Sequence, residues 1–116
     1  MATFTAAMEM LERGTLHLWS WRNLKLDDAG SSVEWSRLSD RSVHVYGTWG
    51  GASLVMEGSN DDTNMAQLDN LRGVAISVSA NAIFGILQIA AYVRPRVVGG
   101  DATTNLNVIM LSRGSK

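Results

Sequence analysis

The sequence predicts an all-β domain, a sandwich or barrel of about seven or eight short strands. Two observations carry the prediction. Apolar residues alternate with polar ones along most of the chain, the period of a strand with one buried face. Eleven glycines against one proline divide the chain into short runs, with the glycines grouped at Gly47, Gly50–Gly51, Gly58, Gly73 and Gly99–Gly100. At 116 residues, 46% of them hydrophobic, the chain has the size and apolar content of one domain with a real core.

Taken in order, the first fourteen residues, "MATFTAAMEMLERG", read as an arm or a short helix: Ala6, Ala7, Met8, Met10 and Leu11 tolerate one or two helical turns ending at Gly14. Residues 15–116 read as one sandwich domain. Leu16, Leu18, Leu24 and Leu26 are expected on one face of an early ribbon, with His17, Trp19 and Trp21 on the other. Val33 and Trp35, then Val43 and Val45, then Ala52, Leu54 and Met56 mark the next inward rows. Val74, Ile76, Val78 and Ala80 follow, then Leu87, Ile89, Ala91 and Val93, and finally Leu106, Val108 and Met110. Pro95 interrupts the strand-like "YVRPRVV"; it cannot donate a ladder hydrogen bond and so predicts an edge or a bulge.

Composition removes several function classes. With no cysteine, neither disulfides nor thiolate metal sites are available. A formal net charge of −1 argues against a nucleic-acid partner, which calls for a concentrated basic face. No apolar run approaches the ~20 residues of a membrane-spanning helix, and the first residues lack the basic-then-apolar pattern of a signal peptide.

Chemistry is equally sparse. Asn60, Asp61, Asp62 and Asn64 could offer oxygens to Ca²⁺, but the spacing lacks the closing bidentate Glu of a helix-flanked loop, and turn chemistry accounts for the same residues. His17 and His44 sit singly in strand-like runs, no nucleophile elbow is present, and neither glycine pair leads into Lys-Ser/Thr and a helix. The expectation is a protein with no catalytic residues, no metal and no cofactor.

What remains is surface. Trp19 and Trp21 with Arg22 on one face of a strand, and Tyr92, Arg94 and Arg96 on the face opposite Val93 and Val97, have the residue types of protein–protein hot spots. Exposed aromatic pairs also stack on sugars, which leaves a carbohydrate partner open.

The runs "VYGTWGGASLVMEGSNDDTNMAQL", "LRGVAISVSA" and "YVRPRVVGGDATTNLNVIML" resemble, in order and over about two-thirds of the chain, small structural proteins of tailed bacteriophages. Asp62 and Met65 stand where that pattern has Gly and Trp. The nearest class is the capsid decoration, or cement, proteins. The resemblance implies a small jelly-roll β-sandwich without enzymatic activity, made in the bacterial cytoplasm and carried on the capsid exterior. It further implies a homo-oligomer, dimer or trimer, that staples major capsid protein subunits. Phe4, Met8, Met10 and Leu11 of the arm, together with Trp19, Trp21, Arg22, Tyr92, Arg94 and Arg96, are the expected contacts with the shell or a sister subunit. The Gly-Ser-Asn-Asp turn also resembles a piece of discoidin-type sandwiches, and gives the alternative of a carbohydrate-binding module in a tail spike or fibre.

Overall fold

The computed structural model describes residues 3–4, 7–11, 16–34 and 40–113, the first two stretches by their strand pairing alone. The described residues form twelve strands and no helix: β1 (Thr3–Phe4), β2 (Ala7–Leu11), β3 (Leu16–Leu24), β4 (Ala29–Gly30), β5 (Val33–Glu34), β6 (Asp40–Thr48), β7 (Ser53–Ser59), β8 (Ala66–Gln67), β9 (Ser77–Val78), β10 (Ala82–Gly85), β11 (Tyr92–Val98) and β12 (Asn105–Arg113).

They build two sheets. One runs β10-β6-β12-β3-β2; the other runs β1-β4-β11-β7-β8, with β5 also pairing β11 and β9 also pairing β7. The chain alternates between them, β3 in the first, β4 and β5 in the second, β6 in the first, and so on to β12. Two interlocked orders result, β3-β12-β6-β10 facing β4/β5-β11-β7-β8/β9, and this is the jelly roll. The core fills the space between: Val43, Val45, Leu106, Val108 and Met110 from one sheet meet Leu54, Met56, Val93 and Val97 from the other, all buried. These are the rows expected from alternation, and each such side chain contributes ~1.5–3 kcal/mol when fully buried.

The N-terminal residues are strands where a short helix had been one expectation. β2 lies antiparallel to β3, with Met8 opposite Trp19 and Met10 opposite His17, and β1 runs parallel to β4. Trp35 lies outside the described residues.

The early ribbon corrects the sequence reading. Leu106 pairs with Leu24 and Val108 with Trp21, so two steps along β12 face three along β3. The extra residue is accommodated near Arg22 and Asn23, where Asn23 takes φ 57° and its amide donates to Asn107 Oδ1 at 3.2 Å. A bulge of this kind reverses which face a strand presents. Trp21 and Leu24 therefore both point inward and are fully buried, while Leu16 and Leu18 stand half-buried on the outside.

Trp21 crosses from one sheet to the other. Its indole Nε1 donates to the Ser31 carbonyl at 2.9 Å. A side chain on Gly30 would meet Trp21 Cδ1 at 2.5 Å and Pro95 Cδ at 2.8 Å, so only glycine fits there. Pro95 lies in the middle of its sheet, contrary to an edge position, but it does face an irregularity. Arg96 pairs with Ala29 and Val93 with Val33, three steps of β11 against four across β4 and β5. The Val97 amide donates to Asp28 O on that side, so by the two-residue period the nitrogen of Pro95 points there too, into the break where no ladder bond is required.

The turn "GSNDDTN" is closed on itself. Ser59 Oγ accepts from the amides of Asp61 and Asp62 and donates to Asp61 Oδ1 at 2.6 Å. Asp61 Oδ1 also accepts from the amides of Thr63 and Asn64, and Oδ2 from Asn64 Nδ2. Those bonds, the Ser59 hydroxyl foremost, hold the Asp61 carboxyl well below its ordinary range. The carboxylate is thus occupied as an acceptor by its own turn, as the turn reading anticipated. At the opposite end, Thr104 Oγ1 accepts from the Asp101 amide and donates to Trp49 O, locking the β11–β12 turn to the β6–β7 turn.

Two outcomes follow. W21A lowers unfolding free energy by about 3–5 kcal/mol in urea melts, and W21F, which keeps most of the volume but loses the donor, by about 1–3 kcal/mol. Asp61, and Asp101 by the same sign through its Thr103 bonds, has a folded pKa below its unfolded one. Their stabilisation is therefore present above the unfolded carboxylate value of about 4 and is lost as pH falls below it. Melting temperature drops on acidification from pH 5 to 3, and D61A melts lower at pH 7 with a shallower drop.

Candidate interaction surfaces

The expected site residues separate onto opposite sides of the sandwich. Strand alternation along β11 buries Val93, Pro95 and Val97 and turns Tyr92, Arg94 and Arg96 outward in one row. β7 lies beside it with Glu57 opposite Arg94 and Val55 opposite Arg96. One carboxylate holds both guanidiniums: Arg94 Nε donates to Glu57 Oε1 and Arg96 Nε to Glu57 Oε2, each at 3.0 Å. Glu57 is itself only 12% exposed, and Val55 is buried although it stands on this outer face, so the row is a packed surface rather than a set of free side chains. Two cations fixed around one anion leave a local positive excess with its rotamers already ordered.

Arg22 lies on the other sheet. It is exposed, and its guanidinium donates to the Tyr46 hydroxyl at 2.5 Å beside the tilted His44–Tyr46 pair. Trp21 is sealed in the core and takes no part in any surface, because it stands opposite the inward Val108 of β12. Trp19 is half-buried and packs against the same core. An outward indole pair therefore does not exist, and the sugar-stacking platform expected from it is absent. The side chains of Phe4, Met8, Met10 and Leu11 lie outside the described residues.

Sequence reasoning missed a third surface. Leu71, Val74, Ile83, Leu87 and Ile89 are all about half exposed or more, led by Ile83 at 70%, Leu71 at 68% and Ile89 at 65%. Val74, Leu87 and Ile89 had been assigned to inward rows. The chain leaves β10 after Gly85 as a loop, pinned where the Leu87 amide donates to Asp69 O and Gln88 exchanges two hydrogen bonds with Asp69. In that loop Ile86 and Ala90 face in and Leu87 and Ile89 face out, before Val93 restores the inward row. Val74 is exposed because it follows the tight turn closed by Asn70, whose amide donates to Val74 O. Leu71 lies over Gly85, where a Cβ would come within 2.7 Å of its methyl. One sequence signal marks the region: residues 73–91 contain no Asp, Glu, Lys or Arg.

Next to this wall, the β7–β8 turn and the loop after β10 leave an open groove of about 370 Å³ lined by Gly58, Leu68, Ala90 and Ile89. Its polar side chains already have partners: Asn60 Oδ1 accepts from the Ala91 amide, Asn64 donates to Asp61, and Gln88 is engaged with Asp69. No group of three or more metal-ligating side chains occurs among the described residues.

No family model and no curated sequence matches the chain. Solved structures do share its fold. The SPBc2 prophage-derived protein YomS superposes with a TM-score of 0.64 at 12% identity, covering 88% of this chain and 97% of YomS. IMPa from Pseudomonas aeruginosa, solved with an O-glycopeptide, gives a TM-score of 0.51 at 14% identity over 95% of this chain and 14% of IMPa. Likeness at that identity establishes a common β-sandwich and leaves open which surface works.

The ordered arginine row can be tested directly. E57A removes the shared acceptor and lowers stability by about 1–2 kcal/mol, the range for a charged hydrogen-bond pair discounted for partial exposure. R94A and E57A combine less than additively in a double-mutant cycle read by chemical denaturation.

Proposed function

We propose that this protein is a non-enzymatic structural component of a phage virion, which binds the outside of the head and staples major capsid protein subunits across their seams. The observation that carries the proposal is the outward Tyr92–Arg94–Arg96 row, whose two arginines are held in one geometry by Glu57 on a central strand. Tyrosine and arginine are enriched where interfaces draw their energy, and side chains fixed before binding give up less entropy when a partner arrives. A shell under internal pressure is served by a rigid body with a preset contact row. The resemblance of its sequence motifs to those of decoration proteins and the fold shared with a prophage-derived protein support the same setting. Repeated docking sites on a lattice add avidity to a modest single contact.

The alternative of a carbohydrate-binding module keeps the resemblance of its Gly-Ser-Asn-Asp turn but not an outward Trp19–Trp21 pair, since Trp21 is in the core.

Mixing the protein with expanded, undecorated heads gives stoichiometric co-sedimentation and raises the temperature at which the heads rupture. Y92A weakens that binding about tenfold or more, the loss of a hot-spot residue. Absence of co-sedimentation at micromolar protein defeats the proposal.

A further inference from the structure

We propose that the open edge of β10, with the uncharged wall around it, is the docking surface for a second copy of this chain. The inference rests on the virion reading only for its use, since the dimer is measured on the protein alone.

β10 ends its sheet. The Ile86 amide donates to Arg41 O on β6, so by the two-residue period Phe84 and Ala82 direct their backbone groups to β6, and Ile83 and Gly85 direct theirs away from it. The amides and carbonyls of Ile83 and Gly85 have no hydrogen-bond partner among the described residues. A bare edge of this kind is ordinarily protected by lysine, proline or a charge; Ala82–Gly85 has none of these.

Antiparallel pairing about a two-fold axis at Phe84 satisfies the edge. Ile83 of one copy then sits opposite Gly85 of the other, and the reverse, so the two residues with outward backbone groups pair with each other. The arrangement is self-complementary, as a symmetric dimer demands. Glycine opposite isoleucine leaves room for the Leu71 side chain that already covers Gly85. The five exposed aliphatic side chains carry on the order of 500 Å² of apolar surface, at the upper end of what a monomer ordinarily leaves bare. Together with the strand backbone and the small residues between, that approaches the ~800 Å² per partner of a standard interface. Charge agrees: residues 73–91 carry none, and the nearby Asp69 and Arg72 are of opposite sign, so a two-fold axis brings no block of like charges together.

The test is the mass of the full chain by sedimentation velocity over a micromolar concentration series, with hydrogen exchange resolved at Ile83 and Gly85. The expected result is a dimer whose Ile83 and Gly85 amides become protected as concentration rises. I83K, a substitution at a 70% exposed position, halves the mass and abolishes that protection while the circular dichroism and melting curve stay those of a folded sandwich. L71Q shifts the dimer dissociation constant upward at least tenfold. A wild-type monomer throughout the series, or an I83K dimer with Ile83 and Gly85 still protected, overturns the proposal. So does protection that appears only on mixing with heads, which assigns the wall to the shell. A dimer that fails to bind heads leaves this inference standing and removes the head-binding function; a monomer that binds heads does the reverse.

Discussion

The structure depends on Trp21 reaching across the sandwich. Its indole rises from β3, crowds Gly30 so closely that no side chain fits, meets the region of Pro95, and donates to the Ser31 carbonyl in the break between β4 and β5. Each partner is constrained by the others. Pro95 has no N–H to give on the side facing the break. Gly30 is small because the ring is there. The break lets the second sheet bend around the ring without stranding a buried donor, which would cost about 1–3 kcal/mol. The largest side chain of the core thus ties together the two layers at the point where their ladders are least regular.

That tie has a consequence for the outside. The alternation that turns Trp19 and Trp21 inward turns Leu16 and Leu18 outward, and Arg22, at the bulge, lies beside Tyr46. On the opposite layer, the alternation that buries Val93, Pro95 and Val97 presents Tyr92, Arg94 and Arg96. The two faces are rigid for the same reason: both are the reverse sides of strands whose inner residues are packed and fixed. The side wall differs in kind. There the strands shorten to two residues at β8 and β9, the chain runs as pinned loops, and aliphatic side chains remain uncovered. An apolar wall that its own sheet does not cover is a place where another surface gains by covering it.

The ends of the sandwich are held by polar closure rather than by burial. Asp61 satisfies its own turn, and Thr104 joins two turns that are distant in sequence. These bonds hold "GSNDD", "GTWGG" and "GGDATT" as closed turns. They are the parts of the chain where backbone angles and short side-chain bonds leave few substitutes: Gly50 and Gly100 both take positive φ, and a Cβ on either would meet Thr104 Oγ1 within 2.7 Å.

The sequence by itself determined the class of fold, the inward rows of β6, β7, β11 and β12, the closing turns and the outward Tyr92–Arg94–Arg96 row. All of these follow from a two-residue period and from local turn chemistry, which act between near neighbours. Only the tertiary structure decided the facing of Trp21, the interior position of Pro95 and the exposure of Leu87 and Ile89. The bulge in β3 brings Trp21 and Leu24 to one side, the break between β4 and β5 opens the ladder position that Pro95 faces, and the loop after β10 turns Leu87 and Ile89 outward. Each departure is held by a partner from elsewhere in the chain: Asn107 beside Asn23, Trp21 beside Gly30, Asp69 beside Gln88. Those partners lie 9 to 84 residues apart in sequence, beyond the reach of any local period.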